Sequence, residues 1–124
     1  AIQKFEQARA LAKDVPGIDK DIANAYNKIG DYDNAIKYTR ENLARITDST
    51  YDRSHDLFQL GLLYWKKATA NSTDASSSDY DLNTLKQAEN VFAEVSRLKP
   101  NSYVGYYWML QATFLLLLYK EGDA

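Results

Sequence analysis

A chain of 124 residues, 45% hydrophobic and 26% charged, has the composition of one ordinary globular domain with a single modest core. Its formal net charge of -2 and pI near 5.3, with no polybasic cluster, argue against a nucleic-acid binder or a protein held on an anionic membrane surface. It contains no cysteine, which excludes a disulfide framework, a thiolate metal site and a thiol nucleophile and fits a reducing or an oxidising compartment equally.

The opening Ala1-Ile2-Gln3-Lys4-Phe5 has neither the basic nor the apolar region of a signal peptide. From there a first helix is predicted from Ala1 to Asp14, stopped by Pro16-Gly17. A second is expected over Asp19 to Ile29, with Gly30 in the left-handed position that closes a helix. Asp31 is the natural N-cap of a third, which runs to about Ile46. Ser49-x-x-Asp52 resembles a capping box and predicts the start of a fourth, continuing to about Ala68. A fifth is predicted from Leu82 to Lys99, and a sixth from Ser102 to Lys120 behind Pro100-Asn101. Between the fourth and fifth, the polar run Asn71 to Asp79 cannot bury itself and predicts a mobile loop within an insertion of about 68–83. No sustained alternating pattern predicts a strand, so the fold class is all-α, with about 70% or more of the chain helical. The apolar stretch Val104 to Tyr119 is broken by Gln111 and Thr113 and falls short of the ~20 residues that span a bilayer, so it reads as a buried helix.

The helices repeat. Ala1-Ile2-x-x-Phe5-x-x-Ala8 recurs 34 residues later as Ala35-Ile36-x-x-Thr39-x-x-Asn42-Leu43, and again as Ala88-Glu89-x-x-Phe92-x-x-Val95. Ala23-x-x-Tyr26-x-x-x-Gly30-Asp31-Tyr32-x-x-Ala35 supplies a helix and turn before the second copy. Leu60-Gly61-x-x-Tyr64 stands before the third, and Leu98-Lys99-Pro100-Asn101 closes that repeat. Small residues (Ala8, Ala23, Ala35, Gly61, Ala88) let two helices approach, while Tyr26, Tyr64 and Phe92 fill the space beside them. The period and these positions resemble the tetratricopeptide repeat (TPR) family over nearly the whole chain. Thr39 and Asn42 depart from its pattern, which prefers a large and a small apolar residue there.

The resemblance implies antiparallel helix-turn-helix repeats stacked as an α-solenoid, a TPR-like superhelix forming a single domain over 1–124. Its parts would be a repeat helix B at 1–14, a repeat at 17–49, a repeat at 50–101 carrying the insertion, and helix A of a next repeat at 102–120. On this reading the chain is an excerpt of a longer array.

No chemistry-bearing constellation stands out. His55 is the only histidine and has no cysteine or second histidine to share a metal with. The five glycines form no phosphate loop. Asp79-x-Asp81-x-Asn83 imitates the opening of a calcium loop, but Thr84 stands where glycine is required and Asn90 where glutamate is. Asn71-Ser72-Thr73 is a formal glycosylation sequon, and Asp31 and Asp33 are explained by capping. No catalytic, cofactor-binding or metal-binding residue is expected, and no enzyme.

What the resemblance implies instead is a concave groove lined by the repeats' A helices. It would carry Lys20, Asn24, Asn27 and Lys28 in one repeat, and His55, Phe58, Leu62, Trp65 and Lys66 in the next. The last A helix would add Met109, Ala112, Leu116, Tyr119 and Lys120. Lys20 and Asn24 match two positions of the carboxylate clamp of some TPR domains, but Gln59 replaces an asparagine of that clamp. The expected function is a scaffold or adaptor that binds a peptide or partner protein. The alternatives are an oligomerisation or assembly module and a glycan- or ligand-binding protein. Phe114 to Tyr119 is apolar on every face, so the last helix is expected to need cover from further sequence, a partner or a second copy of the chain.

Overall fold

In a computed structural model the chain is all-helical. The structure describes residues 2–11, 17–70 and 80–122, apart from the side chains at positions 2, 5 and 120–122. Among the described residues there are six α-helices and no strand. They are α1 (Ile2–Leu11), α2 (Ile18–Lys28), α3 (Tyr32–Arg45), α4 (Ser54–Thr69), α5 (Leu82–Leu98) and α6 (Tyr103–Gly122). The predicted end of the first helix at Asp14 and the polar run 71–79 lie outside the described residues. The helices gather into two compact units, residues 1–51 and residues 52–124, where the sequence reading treats the whole chain as one domain.

Local chemistry explains the end of α2 and the starts of α3 and α5. Gly30 takes a φ of +82°, and the chain folds back there with Gly30 N–H donating to Asn27 C=O (3.1 Å) and Asp31 N–H to Tyr26 C=O (3.0 Å). That pair of bonds is a Schellman closure, and it satisfies carbonyls that α2 would otherwise leave open. One residue on, Asp31 accepts from the Asn34 backbone N–H at 3.2 Å and caps α3. Asp81 does the same for α5 through the Thr84 N–H at 3.2 Å. The ends of the insertion are tied together, because Asp81 N–H donates to Ala68 C=O at 3.0 Å.

One expected end is corrected. The fourth helix begins at Ser54, not at Ser49, so Ser49-x-x-Asp52 is no capping box. Asp48 instead folds back on the Thr50 N–H (2.9 Å) and hydroxyl (2.6 Å), and Asp52 takes the Ser54 N–H (3.0 Å) and hydroxyl (2.6 Å). These local side-chain turns compete with helix and win here. The Ser54 bonds, with Lys99 at 3.0 Å, hold the Asp52 carboxyl down at about 2, and similar bonds lower Asp48 and Asp81. A carboxylate depressed in the folded state adds stability that is present above its ordinary value near 3.8 and is lost as pH falls through about 2. Denaturant midpoints measured at stepped pH should therefore be flat from neutrality to about pH 5 and fall between about 4 and 2. Asp52→Ala should flatten that fall, and an unchanged acid profile would contradict the assignment.

In residues 1–51, α2 and α3 run antiparallel, with Asp19 at the start of α2 paired to Arg45 at the end of α3 (3.1 Å). Ile18, Ile22, Ala23 and Tyr38 form the core, and Tyr26 stacks on Tyr38 with ring centroids 5.7 Å apart. Ala8 is exposed, which corrects its reading as a packing residue. The described contacts of α1 are polar. Arg9 pairs with Asp19 and with Glu41 (2.6 Å), and Glu6 accepts from the Tyr26 and Tyr38 hydroxyls.

In residues 52–122 the three helices alternate in direction. Gly61 meets Phe92 and Ala68 packs with Leu85 between α4 and α5, and Gly105 meets Ser96 between α5 and α6. Gly61 is required by the packing, since a Cβ there would stand 2.5 Å from the Phe92 ring. Phe92, Leu85, Ala88 and Ala112 are fully buried. Thr39, which departs from the repeat pattern, is buried with its hydroxyl donating to Ala35 C=O at 2.8 Å.

Candidate functional site

Four rings connect the helices of residues 52–122. Phe92 of α5 is fully buried at the centre, tilted against Phe58 of α4 (5.9 Å) and stacked on Trp108 of α6 (5.9 Å). Trp108 meets Trp65 of α4 edge to face at 5.5 Å, and Tyr107 meets Trp108 in the same way at 5.6 Å. Edge-to-face and offset geometries suit the ring quadrupoles, so these contacts fix ring orientation as well as burying area.

Of the expected groove residues on α4, Phe58, Leu62 and Trp65 are half-buried, while His55 and Lys66 are exposed. The structure therefore brings Phe58 and Trp65 into one aromatic cluster through Phe92 and Trp108, and leaves part of each at the surface. Lys66 and Lys67 sit in the last turn of α4, where a positive charge complements the helix dipole. On α2, Lys20, Asn24, Asn27 and Lys28 recur at helical spacing on the side opposite buried Ile22. Asn24 and Lys28 are exposed, and Lys20 and Asn27 are half-buried.

The last helix presents a different face from the one expected. Ala112 is fully buried against Ala68 and Leu85, and Leu116 packs on the same cluster. Tyr119 lies edge-on to Tyr80 at 4.9 Å, and Met109 is half-buried. Ala112, Leu116 and Tyr119 thus face α6's own neighbours, while the side chain of Lys120 is outside the described residues. The outward face carries Tyr103, Tyr106, Tyr107, Leu110, Phe114, Leu117 and Leu118, all exposed. Trp108, the residue that meets α4, is absent from the sequence-based groove, because a helix apolar on every side carries no stripe to show which face turns inward.

The sequence also gave no sign of the ion-pair group in residues 1–51. Asp19 is only 2% exposed and carries Arg9 and Arg45 on its two carboxylate oxygens. Arg9 also lies 5.3 Å from the centre of the Tyr38 ring. The hydrogen bond to Glu6, helped by desolvation, pushes the Tyr26 hydroxyl up to about 12, and desolvation followed by Glu6 raises Tyr38. Every charge in this group faces a partner, so it reads as a structural tie, not as an acid or base poised for chemistry.

Among the described residues there is no buried side-chain polar atom without a hydrogen-bond partner. Nor is there a group of three or more His, Asp or Glu side chains able to hold a metal ion, or a helix long and apolar enough to cross a membrane. Compared with protein-family models, with curated proteins and with solved structures, the chain matched nothing in any of the three.

Proposed function

We propose that this chain is a TPR-like helical scaffold that binds a segment of a protein or peptide along the A-helix faces of its repeats. On α4 the binding residues are Phe58, Leu62, Trp65 and Lys66, and on α2 they are Lys20, Asn24, Asn27 and Lys28. The repeat reading is supported by two antiparallel helix pairs, α2 with α3 and α4 with α5, and by the small Gly61 meeting Phe92 in the second.

The observation that carries the binding reading is the half-buried Trp65 held edge-on against Trp108, with part of its ring at the surface. A ring already fixed by its neighbour loses little conformational freedom when a ligand covers its remaining surface. Aromatic anchors of this kind dominate the energetics of protein interfaces. The exposed Lys66 beside it adds charge at the rim, which selects partners and speeds encounter more than it strengthens binding.

The test uses peptides selected from a displayed library on the immobilised chain. Trp65→Ala and Phe58→Ala should each weaken the selected peptides by about 2 kcal/mol, roughly thirty-fold, while lowering the unfolding free energy by less. Selected peptides whose affinity ignores both substitutions would defeat the assignment of this face. So would variants that lose several kcal/mol of stability, because the rings would then belong to the core alone.

A further inference from the structure

The outward face of α6 carries a second inference, separate from the α4 face. Tyr103, Tyr107, Leu110, Phe114 and Leu117 follow one another in steps of four, three, four and three, the spacing of a helix-pairing seam. Tyr106 and Leu118 flank them, and the seven side chains are between 41% and 79% exposed. This exposure is not that of a helix swung away from its unit. The opposite face is anchored by fully buried Ala112, by Trp108 on Phe92 and Trp65, and by Thr113 donating to Glu89 at 2.5 Å. Gly105 lies so close to α5 that a Cβ would stand 2.8 Å from the Ser96 backbone nitrogen, which fixes the rotation of α6.

We propose that this seam pairs antiparallel with the same seam of a second copy of the chain. Its period is that of a helix, so a helix fits it and a strand does not. Its seven residues carry no charge, so an equally uncharged helical face is the complement, and the seam itself has that face and spacing. With no charges to oppose one another, self-pairing meets no like-charge repulsion. The area is sufficient. At about 100 Å² exposed for each large side chain, the seam offers on the order of 700 Å² per copy, and two copies bury an interface of standard size. An apolar patch of that extent on a lone molecule marks an interaction surface.

The antiparallel sense follows from the distribution of side chains. Tyrosines occupy the N-terminal part of the seam, and leucine and phenylalanine the rest. A parallel pair would crowd six tyrosines at one end. An antiparallel pair seats each tyrosine group on Phe114, Leu117 and Leu118 of the other copy, with the hydroxyls at the wet rim. It also opposes the two helix dipoles favourably. The two-fold axis falls beside Leu110 and Gln111, making the interface isologous.

Sedimentation of the chain from about 1 to 200 µM should show the mass rising toward twice the 14.1 kDa of the monomer. Leu110→Glu combined with Leu117→Glu should keep the monomer mass throughout with unchanged helical circular dichroism, since both positions are exposed. If the double variant loses helix, Leu110→Gln is the milder replacement, and the same loss of dimer is expected. The cysteine-free chain allows a test of direction. Gln111→Cys should cross-link to its own copy, and Tyr103→Cys should cross-link with Leu118→Cys in a mixed sample but not with itself.

A wild-type chain that stays monomeric at the highest concentration overturns the proposal. If that monomer binds anilinonaphthalene sulfonate and the double variant does not, the seam serves some partner other than a second copy. A dimer that survives the double variant overturns the α6 seam, and Tyr103→Cys linking to itself overturns the antiparallel sense. None of these results touches Trp65, so the peptide-binding reading of α4 stands or falls by its own experiment.

Discussion

Phe92→Ala is expected to lower the stability of residues 52–122 by about 3–5 kcal/mol, the range for removing a fully buried aromatic ring. The ring fills the hollow above Gly61 and supports Phe58 on one side and Trp108 on the other. Its removal leaves a cavity that Gly61 has no side chain to enter, so collapse can recover only part of the lost contact. Both tryptophans lie in this unit, which makes their fluorescence a specific reporter of its unfolding. The expected result in urea is a lower midpoint with an unchanged slope. A loss below 1 kcal/mol would mean that Phe92 is not the centre of the cluster. Phe92→Leu should cost less, because it keeps much of the volume and no charge or polar atom enters the site.

Asp19→Ala is the second large effect, expected at about 2–3 kcal/mol in residues 1–51. The carboxylate is almost fully buried between Arg9 and Arg45, so its removal leaves two guanidinium groups without their shared counter-charge. Those groups are 26% and 39% exposed, and water recovers part of their solvation, which keeps the loss below that of a wholly buried pair. Arg45→Ala should cost less than Asp19→Ala, because Arg45 is the more exposed partner and Arg9 remains. A double-mutant cycle between Arg9→Ala and Asp19→Ala, followed by circular dichroism in urea, isolates the pair from general packing losses. Near-zero coupling would show that α1 is held by something other than this charge.

Much of the fold was legible because its signals are local. Gly30 announces the close of α2, since its left-handed backbone is open to glycine at little cost. Asp31 and Asp81 announce α3 and α5, because an N-cap is a bond between a side chain and an amide three residues on. Gly61 and Phe92 were readable through the repeat, as a small and a large position that must meet. Their visibility is why the six helices found among the described residues match the six expected.

What the sequence could not determine is what depends on partners distant along the chain. Nothing near Asp19 signals that Arg9 and Arg45 converge on it, because that convergence exists only after α1, α2 and α3 are packed. The start of α4 was misplaced because Asp52 can serve either a helix that has begun or a turn before it. The bond to Ser54 chose the turn. The face of α6 was the least legible feature of all. A helix apolar on every side has no hydrophobic stripe to say which way it turns, so periodicity names the helix but not its orientation. Only the tertiary structure decides that orientation, through Gly105 closing on Ser96 and Trp108 lodging between Phe92 and Trp65. Those contacts turn Ala112 inward and leave Tyr103, Leu110, Phe114 and Leu117 facing out, because close packing admits a small residue at the crossing and no bulky one.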